Sequence, residues 1–293
     1  MATRPLFTAP HSAFLVPFDG SFRAESSGTA PPDEDRRHPK KRLKAAERQL
    51  DDLQRLLLAN KTWSALLVFQ GMDAAGKDST IRAVMSGISP TGCQVFNFKR
   101  PTRTELAHDF LWRTTRSLPE RGRIGIFNRS QYEEVLVVRV HPEILQNQRL
   151  PTAADSEAFW NARLQSIRDQ EQHLARNGVA ILKFWLNISK NEQKSRFLSR
   201  LDEPHKTWKF NPDDVAERQY WDRYMHAYEE ALNATSRPWA PWYAIPADSK
   251  PYMRAAIAEI IVRSLASLDL QYPEPDATAM VGFDEARAKL QEE

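Results

Sequence analysis

Ala65-Leu66-Leu67-Val68-Phe69 runs into Gly71-Met72-Asp73-Ala74-Ala75-Gly76-Lys77-Asp78-Ser79. Five apolar residues ahead of a glycine-bounded loop read as a strand feeding a turn and then a helix. Gly71, Gly76 and Lys77 have the spacing G-x-x-x-x-G-K of a phosphate-binding loop. In such a loop successive backbone N–H groups cup an anion, and the following helix aims its positive dipole end at it. Lys77 adds a point charge, and Ala74, Ala75, Gly76 and Ser79 complete the cradle. Asp78 stands where Ser or Thr usually holds Mg²⁺, with Ser79 one residue late. Asp73 puts a second carboxylate inside the loop. Both would be repelled by bound phosphates unless a hard cation lay between them. The loop therefore reads as a phosphate site that expects Mg²⁺, with the metal on Asp73 or Asp78.

The chain has 293 residues, 41% hydrophobic and 27% charged, the composition of a globular protein. No apolar run reaches membrane-span length and no signal-peptide pattern opens the chain, so a cytoplasmic protein without a membrane partner is expected. A single cysteine, Cys93, rules out an intrachain disulfide, and no Cys/His set has zinc spacing. Net charge is only +3, which argues against a general nucleic-acid binder. Between Lys183 and Lys209, however, seven Lys/Arg face three Asp/Glu. Such a segment is either a solvated helix face or the seat of an anionic partner.

Strands are expected at 65–69, 94–98, 123–127, 179–186 and 242–246, and helices at 41–59, 77–88, 104–118, about 130–141, 155–177, 190–201, 211–235 and 251–268. Alternating β and α segments predict an α/β fold with a mostly parallel five-stranded sheet covered on both faces. Ligands then bind at the carboxyl ends of the strands. Residues 1–40 read as an extended arm, with Phe14, Leu15, Val16 and Phe18 able to dock. Residues 41–270 read as the core, and 271–293 as a tail.

Three more segments carry candidate chemistry. Strand 123–127 leads to Asn128-Arg129-Ser130-Gln131-Tyr132-Glu133. Asn128 replaces the Asp that commonly helps hold Mg²⁺ at this strand end. Arg129 either grips phosphate oxygens with its fork or pairs structurally with Glu133, four residues on. The loop Phe98-Lys99-Arg100-Pro101-Thr102-Arg103 sets cations at the same sheet edge, so Lys99 and Arg103 join Asn128 and Glu133 as nucleotide-side candidates. Residues 188–210 carry Lys190, Lys194, Arg196, Arg200, Lys206 and Lys209 and are interrupted by Asp202-Glu203-Pro204-His205, which predicts a movable basic lid.

Several long motifs in order resemble the polyphosphate kinase 2 family. They are Gly71–Asp78, Phe127-Asn128-Arg129-Ser130-Gln131-Tyr132-Glu133 through His141, Leu182-Lys183-Phe184-Trp185 with Ile188-Ser189-Lys190, Trp208-Lys209-Phe210-Asn211-Pro212, and Ala240-Pro241-Trp242-Tyr243 with Ile245-Pro246-Ala247-Asp248. The Phe-Asn-Arg-Ser-x-Tyr-Glu form is most similar to members using nucleoside mono- and diphosphates. The resemblance implies a three-layer α/β/α P-loop kinase fold with a helical lid. It implies Mg²⁺-dependent phosphoryl transfer between inorganic polyphosphate and adenine nucleotides, with guanine nucleotides left open, in a homodimer or homotetramer. Asp73 would hold Mg²⁺ and orient the acceptor, and Lys77 and Arg129 would neutralise the transferring phosphoryl. Arg196, Arg200, Lys206 and Lys209 would hold polyphosphate. The alternatives are an ATP-dependent nucleoside monophosphate kinase, a nucleic-acid-binding P-loop protein and a silent structural relative. The last two are opposed by the lack of interleaved aromatics and cations and by the presence of Asp73, Lys77 and Arg129.

Overall fold

The computed structural model describes residues 7–33, 37–151 and 156–293. Five strands, β1 (Ser64–Gln70), β2 (Cys93–Asn97), β3 (Ile124–Asn128), β4 (Val179–Asn187) and β5 (Trp242–Pro246), form one sheet in the order β2-β3-β1-β4-β5. Every strand pair is parallel. β1 and β4 are buried along their whole lengths, as strands covered on both faces must be. Edge strand β2 alternates between half-buried and exposed residues.

The helices are α1 (Pro39–Asn60), α2 (Lys77–Val84), α3 (Arg103–Leu106), α4 (Trp112–Thr115), α5 (Val137–Val140), α6 (Glu157–Arg176), α7 (Lys190–Asp202), α8 (Pro212–Ala216), α9 (Trp221–Thr235), α10 (Lys250–Ala266) and α11 (Ala277–Glu292). α10 packs on α1 and α2, and α9 packs on α5 and α6. The chain leaves β1 through α2 towards one sheet edge and leaves β3 through α6 towards the other. Right-handed crossovers then put the two helix groups on opposite faces, giving three layers. The reversal of direction opens a crevice at the carboxyl ends of β1 and β3.

Several expected helices are shorter than periodicity suggests. The stretch 104–118 splits into α3 and α4, because Thr102 and Glu105 form a reciprocal capping box and Asp109 accepts the Leu111 N–H. The stretch 130–141 becomes a 3₁₀ turn (Gln131–Glu134), capped by Ser130, and then α5, whose valines favour helix poorly. The stretch 211–235 is α8, a 3₁₀ turn (Glu217–Tyr220) and α9. The helix from Lys77 ends at Val84 rather than residue 88.

Residues 7–33 are docked rather than merely extended. The Val16 N–H donates to Trp242 O and the Ala244 N–H to Phe14 O, so this segment pairs antiparallel with β5 through Leu15 and Tyr243. Val16 is buried, whereas Phe18 is exposed. The arm then crosses the carboxyl ends of β4 and β5, where Asn187 Nδ2 donates to Ser27 O and the Asp248 N–H to Thr29 O. The tail contains α11, with Met280, Val281, Phe283 and Leu290 exposed. Among the described residues, no helix is long and apolar enough to cross a membrane.

Candidate active site

The loop between β1 and α2 is shaped by side chains that take its carbonyls. Lys77 Nζ donates to Gly71 O at 2.6 Å and to Met72 O at 3.3 Å. Gln193 Nε2 takes Asp73 O at 2.9 Å. Arg196 Nη1 takes Ala74 O at 3.0 Å and Ala75 O at 2.8 Å. In a trans peptide the N–H lies opposite the C=O. Pinning the carbonyls of residues 73 and 75 from behind thus turns the N–H groups of Ala74 and Gly76 towards the crevice. Ala74 adopts the left-handed region (φ 61°), a strained conformation for a residue with a Cβ. Gly71 is required by a close approach, since a Cβ there would lie 3.0 Å from Leu186 O.

Asp73 points to the end of β3, where Arg129 Nη2 donates to its Oδ1 at 2.8 Å. The other Arg129 nitrogen lies 3.5 Å from Glu133 Oε2. Of the two sequence readings of Arg129, the pairing with Glu133 is present, and the same fork also holds the loop carboxylate Asp73. Arg129 is itself left-handed (φ 65°), and its N–H is tied to Phe69 O at 3.0 Å. Burial pushes the Glu133 carboxyl up from the ordinary glutamate range, against the pull of Arg129 and Lys77. Burial lowers the Lys77 ammonium, and the nearby Arg129 cation lowers it further.

Asp78, on the first turn of α2, accepts a hydrogen bond from Asn128 Nδ2 at 2.6 Å. The same nitrogen donates to Asn97 Oδ1 at 2.6 Å, while the buried Asn128 Oδ1 has no partner among the described residues. Lys99 lines a cleft of about 520 Å³ beyond Asn97, with Arg100, Trp112, Arg113 and Arg116. Arg103 heads α3 at that edge, outside the Asp73–Arg129 cluster.

The basic segment 188–210 divides in the structure. Arg196 is buried, and besides Ala74 O and Ala75 O it takes Ala247 O at 2.6 Å and Glu192 at 2.8 Å. It clamps the phosphate loop from beneath rather than facing a lid groove. Arg200 pairs with Asp214 at 3.3 Å. Lys206 pairs with Glu203 at 2.6 Å. The side chain of Lys209 lies outside the described residues.

Other functional candidates escape sequence reading. Asp214 reads as an ordinary first-turn acid of α8, yet its carboxyl is pushed up by burial and by the charge of Asp73. Tyr228 reads as part of an apolar stripe, yet its hydroxyl reaches the Gly71 backbone and feels Glu133, Asp73 and Arg129. Lys250 and Arg254 on α10 are both lowered, first by burial and then by neighbouring cations, Arg196 for each and Arg82 of α2 for Arg254. A surplus of cations at one helix seam is a signal only the fold can supply.

The profile of the family described as polyphosphate kinase 2 (PPK2) matches residues 33–273. The chain belongs to the polyphosphate kinase 2 family. It is 56% identical over 242 residues to an ADP-polyphosphate phosphotransferase of Rhodopseudomonas palustris, covering 82% of this chain and 84% of that protein. It is 45% identical over 237 residues to an AMP/ADP-polyphosphate phosphotransferase of Meiothermus ruber, covering 81% and 85% respectively. The crystal structure of polyphosphate kinase 2 from Arthrobacter aurescens TC1 superposes with a TM-score of 0.83 at 35% identity, over 100% of both chains. Family membership extends the α/β kinase fold to a polyphosphate–nucleotide phosphotransferase and leaves the individual residue roles to be argued from the geometry.

Proposed function

We propose that this polyphosphate–nucleotide phosphotransferase forms ADP and ATP from AMP and ADP, with Asp73, Lys77 and Arg129 as its catalytic residues and Mg²⁺ as its cofactor. One observation carries the reading. A carboxylate, a forked guanidinium and a phosphate-loop lysine converge at the carboxyl ends of β1 and β3, with Arg129 Nη2 2.8 Å from Asp73.

The donor set suits the metal. Asp73 and Asp78 flank the loop, and the unpartnered Asn128 Oδ1 adds a hard oxygen. Among the described residues, no three His, Cys, Asp or Glu side chains form a metal cage. Mg²⁺ favours one or two carboxylates completed by water and substrate phosphates over an all-protein cage. Bound there by Asp73, it supplies charge neutralisation between carboxylate and phosphate.

The residues divide the remaining work. The backbone N–H groups of the loop hold the phosphoryl group that leaves polyphosphate. Lys77 is lowered by burial but still a donor, and it turns from Gly71 O to that phosphoryl's oxygens. Arg129 neutralises charge between donor and acceptor, where phosphoryl transfer depends on positioning and electrostatics. Glu133 orients Arg129, and Asn128 sets the acceptor side. Lys99 and Arg103 extend that side along the β2 edge. Arg200, Lys206 and Lys209 hold the donor chain from the proposed lid, residues 188–210. Arg82, Lys250 and Arg254 continue its path between α2 and α10, where burial first and neighbouring cations second lower Lys250 and Arg254. The same reading gives a cytoplasmic enzyme and a homodimer or homotetramer.

The test is ATP formation from polyphosphate and Mg²⁺ with AMP alone or ADP alone, guanine nucleotides serving as comparison acceptors. ATP from both, with none in the absence of polyphosphate, is the expected result. ATP from ADP only removes the monophosphate activity. Phosphorylation driven by ATP but not polyphosphate overturns the reading in favour of an ordinary nucleotide kinase.

A further inference from the structure

Gln193 is a neutral residue in the second turn of α7, 1% exposed, and its amide is used at both ends. Nε2 donates to Asp73 O at 2.9 Å and Oε1 accepts from Arg218 Nη1 at 2.5 Å. The second Arg218 nitrogen donates to Lys190 O at 3.1 Å, at the start of the same helix. Arg218 belongs to the 3₁₀ turn Glu217–Tyr220, through which the chain returns from α8 into α9. Its neighbour Glu217 is held by His141 Nε2 at 3.0 Å and the Tyr224 hydroxyl at 2.8 Å. The helix entering the basic segment and the turn leaving it are thus tied together by one arginine. The tie continues through one amide to the carbonyl of the residue that carries the site's carboxylate.

We infer that Gln193 and Arg218 are positioning residues which couple the 188–220 segment to the shape of the phosphate loop. The coupled element is the Asp73–Ala74 peptide. Gln193 fixes its carbonyl, the planar peptide fixes the Ala74 N–H on the opposite side, and Ala74 is held left-handed. A shift of the turn at 217–220 moves Arg218, then the amide, then the direction of that N–H and the Asp73 side chain. Only an amide fits between the two partners. A carboxylate would keep Arg218 but turn a second acceptor against Asp73 O, and an aliphatic chain would lose both bonds. This inference rests on the catalytic reading of Asp73.

The experiment compares Arg218→Met, Gln193→Glu and the double variant. It measures kcat, KM for nucleotide and for polyphosphate, and amide hydrogen exchange across the peptide containing residues 71–76. Each single variant is expected to lose on the order of ten- to a hundredfold in kcat with both KM values within about twofold. Exchange in the loop should accelerate, and the double variant should be no worse than Gln193→Glu. Additive losses, a raised KM at unchanged kcat, or unchanged loop exchange in Arg218→Met would overturn the coupling. Arg218→Met alters a half-buried side chain and still tests the idea should Gln193→Glu not fold. Asp73→Asn separates the two claims. An active Asp73→Asn enzyme sinks the catalytic reading, whereas an inactive one beside a normal Arg218→Met enzyme sinks only the coupling.

Discussion

At the residue scale, Arg129 is constrained through both its backbone and its side chain. Its backbone is left-handed and tied to β1, and its fork spans Asp73 and Glu133. A lysine has one nitrogen and no planar fork, so it cannot bridge the two carboxylates while also meeting a phosphoryl group. Arg129→Lys should therefore lose about two orders of magnitude or more in kcat. Its midpoint in thermal unfolding should stay within a few degrees of the wild type. Asp73→Asn should behave alike, because it keeps the shape of the side chain and removes the charge. Steady-state kinetics beside calorimetry decide the matter, and full turnover in either variant removes that residue from the mechanism.

The same residues show what a sequence can carry. Gly71, Gly76 and Lys77 were legible because their meaning is local, and a glycine spacing specifies a backbone shape by itself. Arg196 was visible as a charge but not as a clamp. Whether a cation on α7 faces solvent or the underside of a neighbouring loop depends on how that helix meets β1 and β5. Gln193 left no trace, since an uncharged amide inside a basic helix looks like filler. The Tyr228 hydroxyl was hidden by its own ring, which satisfied the apolar stripe.

At the scale of elements, β4 carries a lysine where its pattern calls for an apolar residue. Lys183 is fully buried, with its ammonium donating to Glu171, to the Tyr132 hydroxyl at 2.9 Å and to Thr235 O at 2.9 Å. Burial lowers it to about 8, and Glu171 opposes that shift. These four groups join β4 to α6, to α9 and to the 3₁₀ turn that presents Glu133. Lys183→Met should cost about 3–5 kcal/mol by stranding the Glu171 charge. Lys183→Met with Glu171→Leu should recover most of that loss. Urea unfolding of the three proteins measures it, and equal destabilisation of single and double variants would contradict the ion-pair account. The strands are legible to within about one residue at each end because their apolar runs are short and bounded. Periodicity overstates the helices after β2 and β3, since it continues through residues whose side chains, Asp109 and Ser130 among them, compete for the backbone.

For the whole molecule, a net charge of +3 hides an uneven distribution. The α2–α10 seam gathers Arg82, Lys250 and Arg254 near Arg196, on a face remote in sequence from the basic segment that charge counting singled out. Arg254→Glu should raise KM for long-chain polyphosphate several-fold, with a weaker dependence on added salt than in the wild type. KM for the nucleotide should stay nearly constant. A parallel rise in both constants would place the donor chain elsewhere.

The arm across β5 ties together two segments far apart in sequence. Tyr243 donates to Pro10 O across a sequence separation of 233. Closing so long a loop is costly in chain entropy before any contact is made. During synthesis the residues that cover the sheet edge emerge well before their partner β5. Until β5 emerges, Val16 and its neighbours must be kept from other strands. The sheet edge therefore closes only after β5 is made, and a nascent chain stalled before residue 242 would hold a phosphate loop beside an unfinished sheet edge.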